Sequence, residues 1–600
     1  MTAEPPPRLA ARIALACVAL LCAAPGALGI HLVPLTTFYE EWLAAAFGTA
    51  ACAALLVGSR AQPIAVPATA LPLIGFLGVL GLQLALGRTA YAQQVTLAML
   101  YVLFAIAMLW CGLQLRAAAG AARAAAVVAA ALVVGGALNA AAAVLQSYAP
   151  GSALGAFALP LASPRASGNL GQANLLADQL AVAGVSLVYL HARGTVRILP
   201  AAAIGLLLAA GMTLCGSRSV WIYAAWVLAW ALYAHRATQA PHYRTAAWAV
   251  AAAVGALVAL AFALPPSAAP AAQAAAPEAT AVASGLGRLA TTGIDAGSEG
   301  LRRYFLEQAW LMFRSAPALG VGVGGFPFAF LEQGARFAEL GIPGQERNAH
   351  NLVAHLAAET GIAGAACVLA ALVLWLWGAL AAPLDRERWW IIGAVGVVLL
   401  HSLVEYPLWY AHFLGPFALL VGLGEARAFA PRNRRLAIAT AAAVVVLGAA
   451  VLGSLWRGYG ELRRWIYLVP EQALNDPAVV RRQAEAVERL HPTLLGPYVE
   501  LALASTLRMD GANLAAKLEL NGRVLRFAPI APVVFRQIVL LAAAGRNAEA
   551  TRLLDAAAVL HPNDLDAFAA DVERLAAGGL DLAALARHLG EIRTKARGKS

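Results

Sequence analysis

Thirteen runs of roughly twenty apolar residues limit what this chain can fold into, near 9–29, 41–58, 67–87, 95–113, 124–145, 170–190, 198–216, 219–234, 246–264, 351–378, 389–404, 408–424 and 436–455. A run of that length crosses the ~30 Å hydrocarbon core of a bilayer as one helix. Within that core, a helix satisfies all its backbone hydrogen bonds internally. Soluble domains carry about a quarter charged residues, whereas this chain has 12% charged and 61% hydrophobic residues. The expected fold is all-α: a polytopic membrane bundle of about 12–13 transmembrane helices. Arg8 and Arg12 ahead of the first run give it the layout of a signal peptide. Because the charge pattern that follows continues from it, we read it as an uncleaved span.

With the N-terminus placed in the cytoplasm, Arg60, Arg116, Arg123, Arg193, Arg197, Arg236, Arg244, Arg386, Arg388, Arg427, Arg432, Arg434 and Arg435 fall on one side. The short connections opposite carry only Arg88, Arg165 and Arg218. This asymmetry orients the chain by the positive-inside rule, and the external side is the periplasm in a Gram-negative bacterium. Four regions follow: an N-terminal bundle at 1–264, a large external loop at 265–350, further spans at 351–455, and a charged, helix-forming region at 456–600. The loop opens in an Ala/Pro-rich low-complexity stretch and turns amphipathic around "LRRYFLEQAWLMFRSAPALGVGVGGF". In the last region Pro492, Pro529 and Pro562 are 37 and 33 residues apart. That spacing suggests tetratricopeptide-like helical hairpins, although the diagnostic Trp and Tyr positions match poorly.

The net charge of +11 comes from scattered arginines without a basic block, which argues for membrane topology over nucleic acid. Six cysteines, none in CxxC spacing, argue against a disulfide framework or a zinc site. There is no GxxxxGK[ST] loop, no GxGxxG after a strand, no HExxH and no external DxD pair, so neither a nucleotide nor a metal cofactor is expected.

Polar groups are costly inside a membrane and mark function. Here four clusters share the external depth. In "SPRASGNLGQANLLADQL" Asn169 and Gln172 are three apart, Asn174 and Asp178 four apart, and Gln172 and Gln179 seven apart, so a helix starting near Gly168 shows an amide-rich face suited to substrate or to interhelical hydrogen bonds, with Arg165 just ahead. "CGSRSVW" sets Arg218 at the external boundary, where a guanidinium either grips phosphate in bidentate fashion or snorkels to headgroups. In "RNAHNLVAHLAAETGIAG" a helix from His350 lines up Asn351, His355 and Glu359, with Arg347 beside His350, an imidazole able to act as general base. "HSLVEYPLWYAHF" spaces His401 and Glu405 one turn apart ahead of the helix-breaking Pro407. His31 with Glu40 and Glu41, and the Arg302/Arg303 pair, are weaker signals at the same depth.

Taken in order, "RASGNLGQANLLA", "GSRSVW", "RRYFLEQAWLMFRSAPALGVGVGGF", "RNAHNLVAHLAAETGIAG" and "HSLVEYPLWY" resemble the bacterial O-antigen ligase and polymerase superfamily. They are most similar to its protein O-oligosaccharyltransferase branch, over about 30–425. The resemblance implies en bloc transfer of a glycan from undecaprenyl diphosphate to a hydroxyl of a pilin or other periplasmic protein, at the periplasmic face of the inner membrane. By position it makes His350 the essential loop histidine. Arg218 with Arg302 or Arg303 would be the diphosphate-binding arginines, Arg302 favoured, and Gln172 and Asn174 part of the polar face. Alternatives are an O-antigen ligase acting on lipid A core, a chain-lengthening polymerase and, from another class, a lipid-glycan transporter. A transporter predicts mid-bilayer charge and internal repeats.

Overall fold

The computed structural model describes residues 9–58, 64–161, 163–264, 296–334 and 346–597. Arg8, Arg60 and the Ala/Pro-rich stretch lie outside the described residues. In chain order the helices are α1 (Leu9–Ala23), α2 (Phe38–Gly58), α3 (Ala70–Ala85), α4 (Ala92–Ala119), α5 (Ala121–Tyr148), α6 (Ala173–Ala192), α7 (Ile198–Leu214), α8 (Ser219–Thr238), α9 (Pro241–Ala263), α10 (Ala296–Ser315), α11 (Phe326–Gln333), α12 (Leu352–Ala381), α13 (Arg386–Ser402), α14 (Ala411–Gly424) and α15 (Arg434–Leu462). Then come α16 (Pro477–Leu490), α17 (Gly496–Ser505), α18 (Leu514–Phe527), α19 (Ala531–Ala543), α20 (Asn547–Leu560), α21 (Leu565–Ala577) and α22 (Ala583–Arg597). The protein is all-α and polytopic, and each of the thirteen expected spans is a helix. Among the described residues, eight helices are long and apolar enough to cross a membrane, while α3, α7 and α14 are apolar but shorter.

The chain divides into two compact units. The first comprises Met1–Ile74, Tyr101–Ala296 and Val368–Gly453. Its core is built on α6, which packs against α5, α7, α8, α9 and α13 and whose apolar window is 78% buried. α1 joins this bundle through α2, α5 and α14. With no hydrophobic drive between helices in lipid, small residues gain the packing by letting backbones approach. A Cβ on Gly422 would sit 2.1 Å from the Leu109 carbonyl oxygen, and one on Gly112 2.3 Å from that of Leu419. On one face of the unit the arginine-bearing connections are stitched together. Arg193 donates to the Ala122 carbonyl and lies 3.7 Å from Glu387, and Arg116 donates to the Leu423 carbonyl at 3.0 Å. There too the two-residue strands β1 (Val66–Pro67) and β2 (Ala428–Phe429) pair antiparallel. By the alternation of the helices, the connections that carry the polar motifs occupy the opposite face.

The second unit comprises Gly75–Leu100, Gly297–Cys367 and Ser454–Ser600. Its core joins Tyr304, Phe305 and Met312 of α10 and Phe326 and Phe330 of α11 to Val524, Val533, Ile538, Leu554 and Leu560 of α18–α20. A buried carboxylate fixes the α3–α4 turn to the C-terminal helices: Glu500 accepts from the Tyr91 hydroxyl at 2.6 Å, from Arg523 at 3.1 Å, and pairs with His491 at 2.9 Å. The large loop's helices and the C-terminal helices are therefore packed into one body. Pro529 and Pro562 sit at helix breaks, as their spacing predicts. Successive helices from α17 to α20 pack on one another.

Candidate functional site

Two polar constellations stand out, one in each unit. In the first unit Asn174 joins three of the four sequence motifs. Its Oδ1 accepts from Arg165 Nη2 at 2.7 Å and from the Ser217 hydroxyl at 2.9 Å, and its Nδ2 donates to Glu405 Oε1 at 2.6 Å. Arg165 Nε also donates to the Cys215 carbonyl at 2.9 Å, which pins the turn that precedes Arg218. Arg218, half-buried, takes the N-cap position of α8. Buried His401 is bonded through Nδ1 to the Tyr223 hydroxyl, and the Glu405 amide donates to the His401 carbonyl at 2.9 Å. As expected, the chain breaks at Pro407, which opens a short 3-10 turn before α14.

The amide face differs from the sequence reading in register. Gly171 adopts φ +71° and Gln172 is extended, so α6 starts at Ala173 and neither Asn169 nor Gln172 lies on it. Gln172 is half-buried at the N-cap. Asn169 is fully buried as a brace: its Nδ2 donates to the carbonyls of Ala27 (3.1 Å) and Phe157 (3.0 Å), and its Oδ1 accepts from Leu159 at 3.0 Å. With every amide function spent on backbone, it offers nothing to a substrate. His31 holds the same turn, with Nε2 3.0 Å from the Asn169 carbonyl and 2.8 Å from Glu40. The hydrogen bond to Glu40, with its charge, outweighs burial and raises the His31 pKa above the ordinary imidazole range.

In the second unit the loop before α12 presents His350. Its backbone is left-handed at φ +49°, a conformation costly for a residue with a side chain. Asn348 Oδ1 supports that conformation by accepting from the His350 amide at 2.9 Å. The imidazole, 20% exposed, stacks on Phe305 of α10 with centroids 5.5 Å apart and planes at 20°. The carboxylate beside it is Glu346, at 3.5 Å. Glu359, which the sequence reading sets under His350, pairs with His355 instead (3.3 Å). Asn351 is not on the helical stripe: α12 begins at Leu352, and Asn351 Oδ1 caps it by accepting from Ala354 at 2.9 Å. Arg347, Arg302 and Arg303 are exposed, Arg303 pairing with Glu307 at 2.9 Å while Arg302 has no ion pair among the described residues.

Below His350 a chain of donors runs in one direction. The Ala349 amide donates to His355 Nδ1 (3.3 Å), His355 Nε2–H faces Glu359 Oε2, and Glu359 Oε1 accepts from the amides of Gly324 (3.0 Å) and Phe326 (3.2 Å). Buried Glu359 is thus saturated by the protein, a brace between the histidine loop and the glycine turn. Gln83, fully buried, donates to the Leu319 (2.6 Å) and Glu359 (2.8 Å) carbonyls. The glycines allow this contact. Gly361 interrupts α12 at φ +61°, and a Cβ there would lie 2.4 Å from the Ala318 carbonyl carbon; one on Gly320 would lie 2.3 Å from that of Glu359.

Sequence reasoning overlooked Glu346, Gln83, Ser217 and Tyr223. A signal existed for two of them: Glu346 lies four residues before His350, and Gln83 is a lone amide in an apolar run. The first constellation joins Arg165 to an amide and through it to a carboxylate, beside the turn that carries Arg218; such guanidinium groups suit an anionic group. The second offers an imidazole with a carboxylate partner, which suits proton transfer from a hydroxyl. Among the described residues no group of three or more His, Cys, Asp or Glu could hold a metal ion.

Residues 201–369 match the family model described as O-antigen ligase. Residues 389–576 match the one described as virulence factor membrane-bound polymerase, C-terminal. A 65-residue stretch is 37% identical to the General O-oligosaccharyltransferase of Acinetobacter baylyi (strain ATCC 33305 / BD413 / ADP1). It covers 11% of this chain and 11% of that relative.

Proposed function

We propose that this chain, a member of the O-antigen ligase superfamily, moves a preassembled oligosaccharide en bloc from undecaprenyl diphosphate to Ser or Thr hydroxyls of periplasmic proteins such as pilins. The reaction takes place at the periplasmic face of the bacterial inner membrane. The observation that carries the reading is His350: a partly exposed imidazole fixed by an aromatic stack and an Asx turn, with Glu346 next to it.

In this reading the His350 imidazole takes the proton of the acceptor hydroxyl as its oxygen attacks the anomeric carbon, and Glu346 stabilises the resulting imidazolium. The bond from that carbon to the diphosphate oxygen breaks, and its electron pair leaves with the diphosphate. Arg302 neutralises the charge that develops there, and is preferred because Arg303 is engaged with Glu307; in the first unit, Arg218 offers a guanidinium suited to phosphate. Arg165 and Asn174 hold the Arg218 turn, and Glu405 anchors Asn174. A single displacement inverts the anomeric centre. Retained configuration in the product, read by NMR, would rule that step out.

The C-terminal helices, as tetratricopeptide-like hairpins, suit a peptide acceptor. Transfer to lipid A core is the second reading, favoured by the match of residues 201–369 to the O-antigen ligase description. The test is mass spectrometry of a pilin-type acceptor co-expressed with a lipid-linked glycan pathway and either the wild type or His350→Ala. A glycan mass on Ser or Thr with the wild type alone supports the proposal. An unmodified acceptor alongside glycan-extended lipid A core selects the second reading. Modification with both proteins removes His350 from the mechanism.

A further inference from the structure

α10 has a second face that the proposed chemistry does not use. One side of it, Tyr304, Phe305, Gln308, Ala309 and Met312, is buried in the core of its unit. The opposite stripe, Arg303, Leu306, Trp310 and Arg314, follows helical spacing and is exposed: Leu306 is 42% and Trp310 57% accessible. Half-buried Phe313 stacks on Trp310, with centroids 5.5 Å apart. Glu307 is paired to Arg303, and with Glu299 near its start α10 carries one net positive charge, Arg314 being the exposed arginine that the proposed chemistry does not use. A stripe of leucine and tryptophan bounded by arginines is the composition of a helix lying in a membrane interface.

Depth is fixed independently by hydrogen bonds just past the end of α10. The Pro317 carbonyl accepts from the Ile362 amide at 2.9 Å, and the Ala318 carbonyl from the Ala363 amide at 3.3 Å. Ile362 is the first residue after the α12 kink at Gly361, and the stretch 362–381 is helical to its end. Those twenty residues rise ~30 Å, which equals the hydrocarbon thickness of a bilayer. A span of that length beginning at Ile362 would put the kink at the membrane boundary. α10 ends at Ser315, two residues before a carbonyl bonded at that boundary.

We propose that α10 lies in the headgroup layer of the bilayer leaflet on its side, docked on anionic phospholipids. Leu306, Trp310 and Phe313 reach the acyl boundary, and Arg314 contacts lipid phosphate. The site is a surface for bulk lipid, independent of which glycan is transferred and to what.

The test replaces Trp310 by p-benzoylphenylalanine in the full chain, reconstituted in nanodiscs of phosphatidylethanolamine with phosphatidylglycerol. The same photoprobe at Ile362, 65% exposed on the span, is the reference. Mass spectrometry after irradiation is expected to show phosphatidylglycerol adducts at 310 as well as lipid adducts at 362. In anionic discs, adding Arg314→Gln is expected to lower the yield at 310 about five-fold, the scale of one basic residue at a charged surface. Lipid adducts at 362 with none at 310 overturn the proposal. So does an adduct at 310 that forms only with undecaprenyl diphosphate present and carries its mass, because the face then belongs to the donor. A yield at 310 unchanged in neutral phosphatidylcholine discs overturns the anionic preference.

Discussion

Replacing Glu359 by glutamine tests whether the donor chain under His350 is what holds the histidine loop. In the wild type every N–H points the same way, from Ala349 to His355 and on to Glu359, where the carboxylate accepts from both sides. A glutamine whose oxygen keeps the Gly324 and Phe326 amides turns its NH2 toward His355 Nε2. The ring then either keeps its proton on Nε2, donor against donor, or moves it to Nδ1 and loses the Ala349 amide. Either way one buried donor is left without an acceptor, which costs ~1–3 kcal/mol. At 1.4 kcal/mol per tenfold, the population of the ordered loop falls about 5- to 150-fold relative to its alternatives. The assay pairs initial transfer rates with hydrogen exchange at the amides of Ala349 and His350. Glu359→Gln is expected to lose rate and amide protection together while the protein remains folded and inserted. Full activity with the Ala349 amide still protected would show that the loop does not depend on this chain.

Arg218→Lys keeps the charge but loses the planar fork, so transfer is expected to be severely impaired; near-normal rates would reduce Arg218 to a snorkelling residue. Asn174→Ala strands the Ser217 hydroxyl and one Arg165 bond and removes the bond to Glu405. It is expected to destabilise the first unit by ~2–4 kcal/mol, read as a lower melting temperature, and an unchanged melt would refute the hub. Burial pushes the Glu500 carboxyl up, but hydrogen bonds from Arg523, Tyr91 and His491 outweigh it and hold the pKa below the usual glutamate value. A depressed carboxyl stabilises the fold fully above its unfolded value, ~4.3, and loses that contribution as pH falls through the folded value. Melts between neutral pH and pH 3 are therefore expected to drop more steeply below about pH 4.3 in the wild type than in Glu500→Gln, and parallel curves would remove Glu500 from the acid response.

Apolar length alone located thirteen helices, eight of them long and apolar enough to cross a membrane, because in a membrane the backbone has no other partner. Pro407 and the prolines of the C-terminal region marked chain breaks for an equally local reason: a missing N–H and a fixed φ. Misplaced features depended on backbone that composition does not encode. The Gly168 register failed because Gly171 is left-handed, which starts α6 five residues late and puts Asn169 to structural use. The four-residue spacing of His355 and Glu359 was readable. Their acceptor and donor partners were not, since the glycine turn that completes the chain lies 35 residues earlier in sequence, at Gly324. Asn174 could be singled out as polar, but its meeting with Glu405 spans 231 residues.

The core that carries the histidine loop also sets a timetable for the protein's own biosynthesis. Phe305, on which His350 stacks, packs in one hydrophobic cluster with Leu560 and Phe568, and Tyr91 waits for Glu500, 409 residues later in the chain. Ribosomes release the N-terminal spans first, so the histidine loop stays without its supporting core until the last helices have been made and have reached the same side. A nascent or prematurely terminated chain would thus occupy the membrane without a formed histidine loop. Assembly of the C-terminal helices would then be the step that completes the core behind the histidine loop.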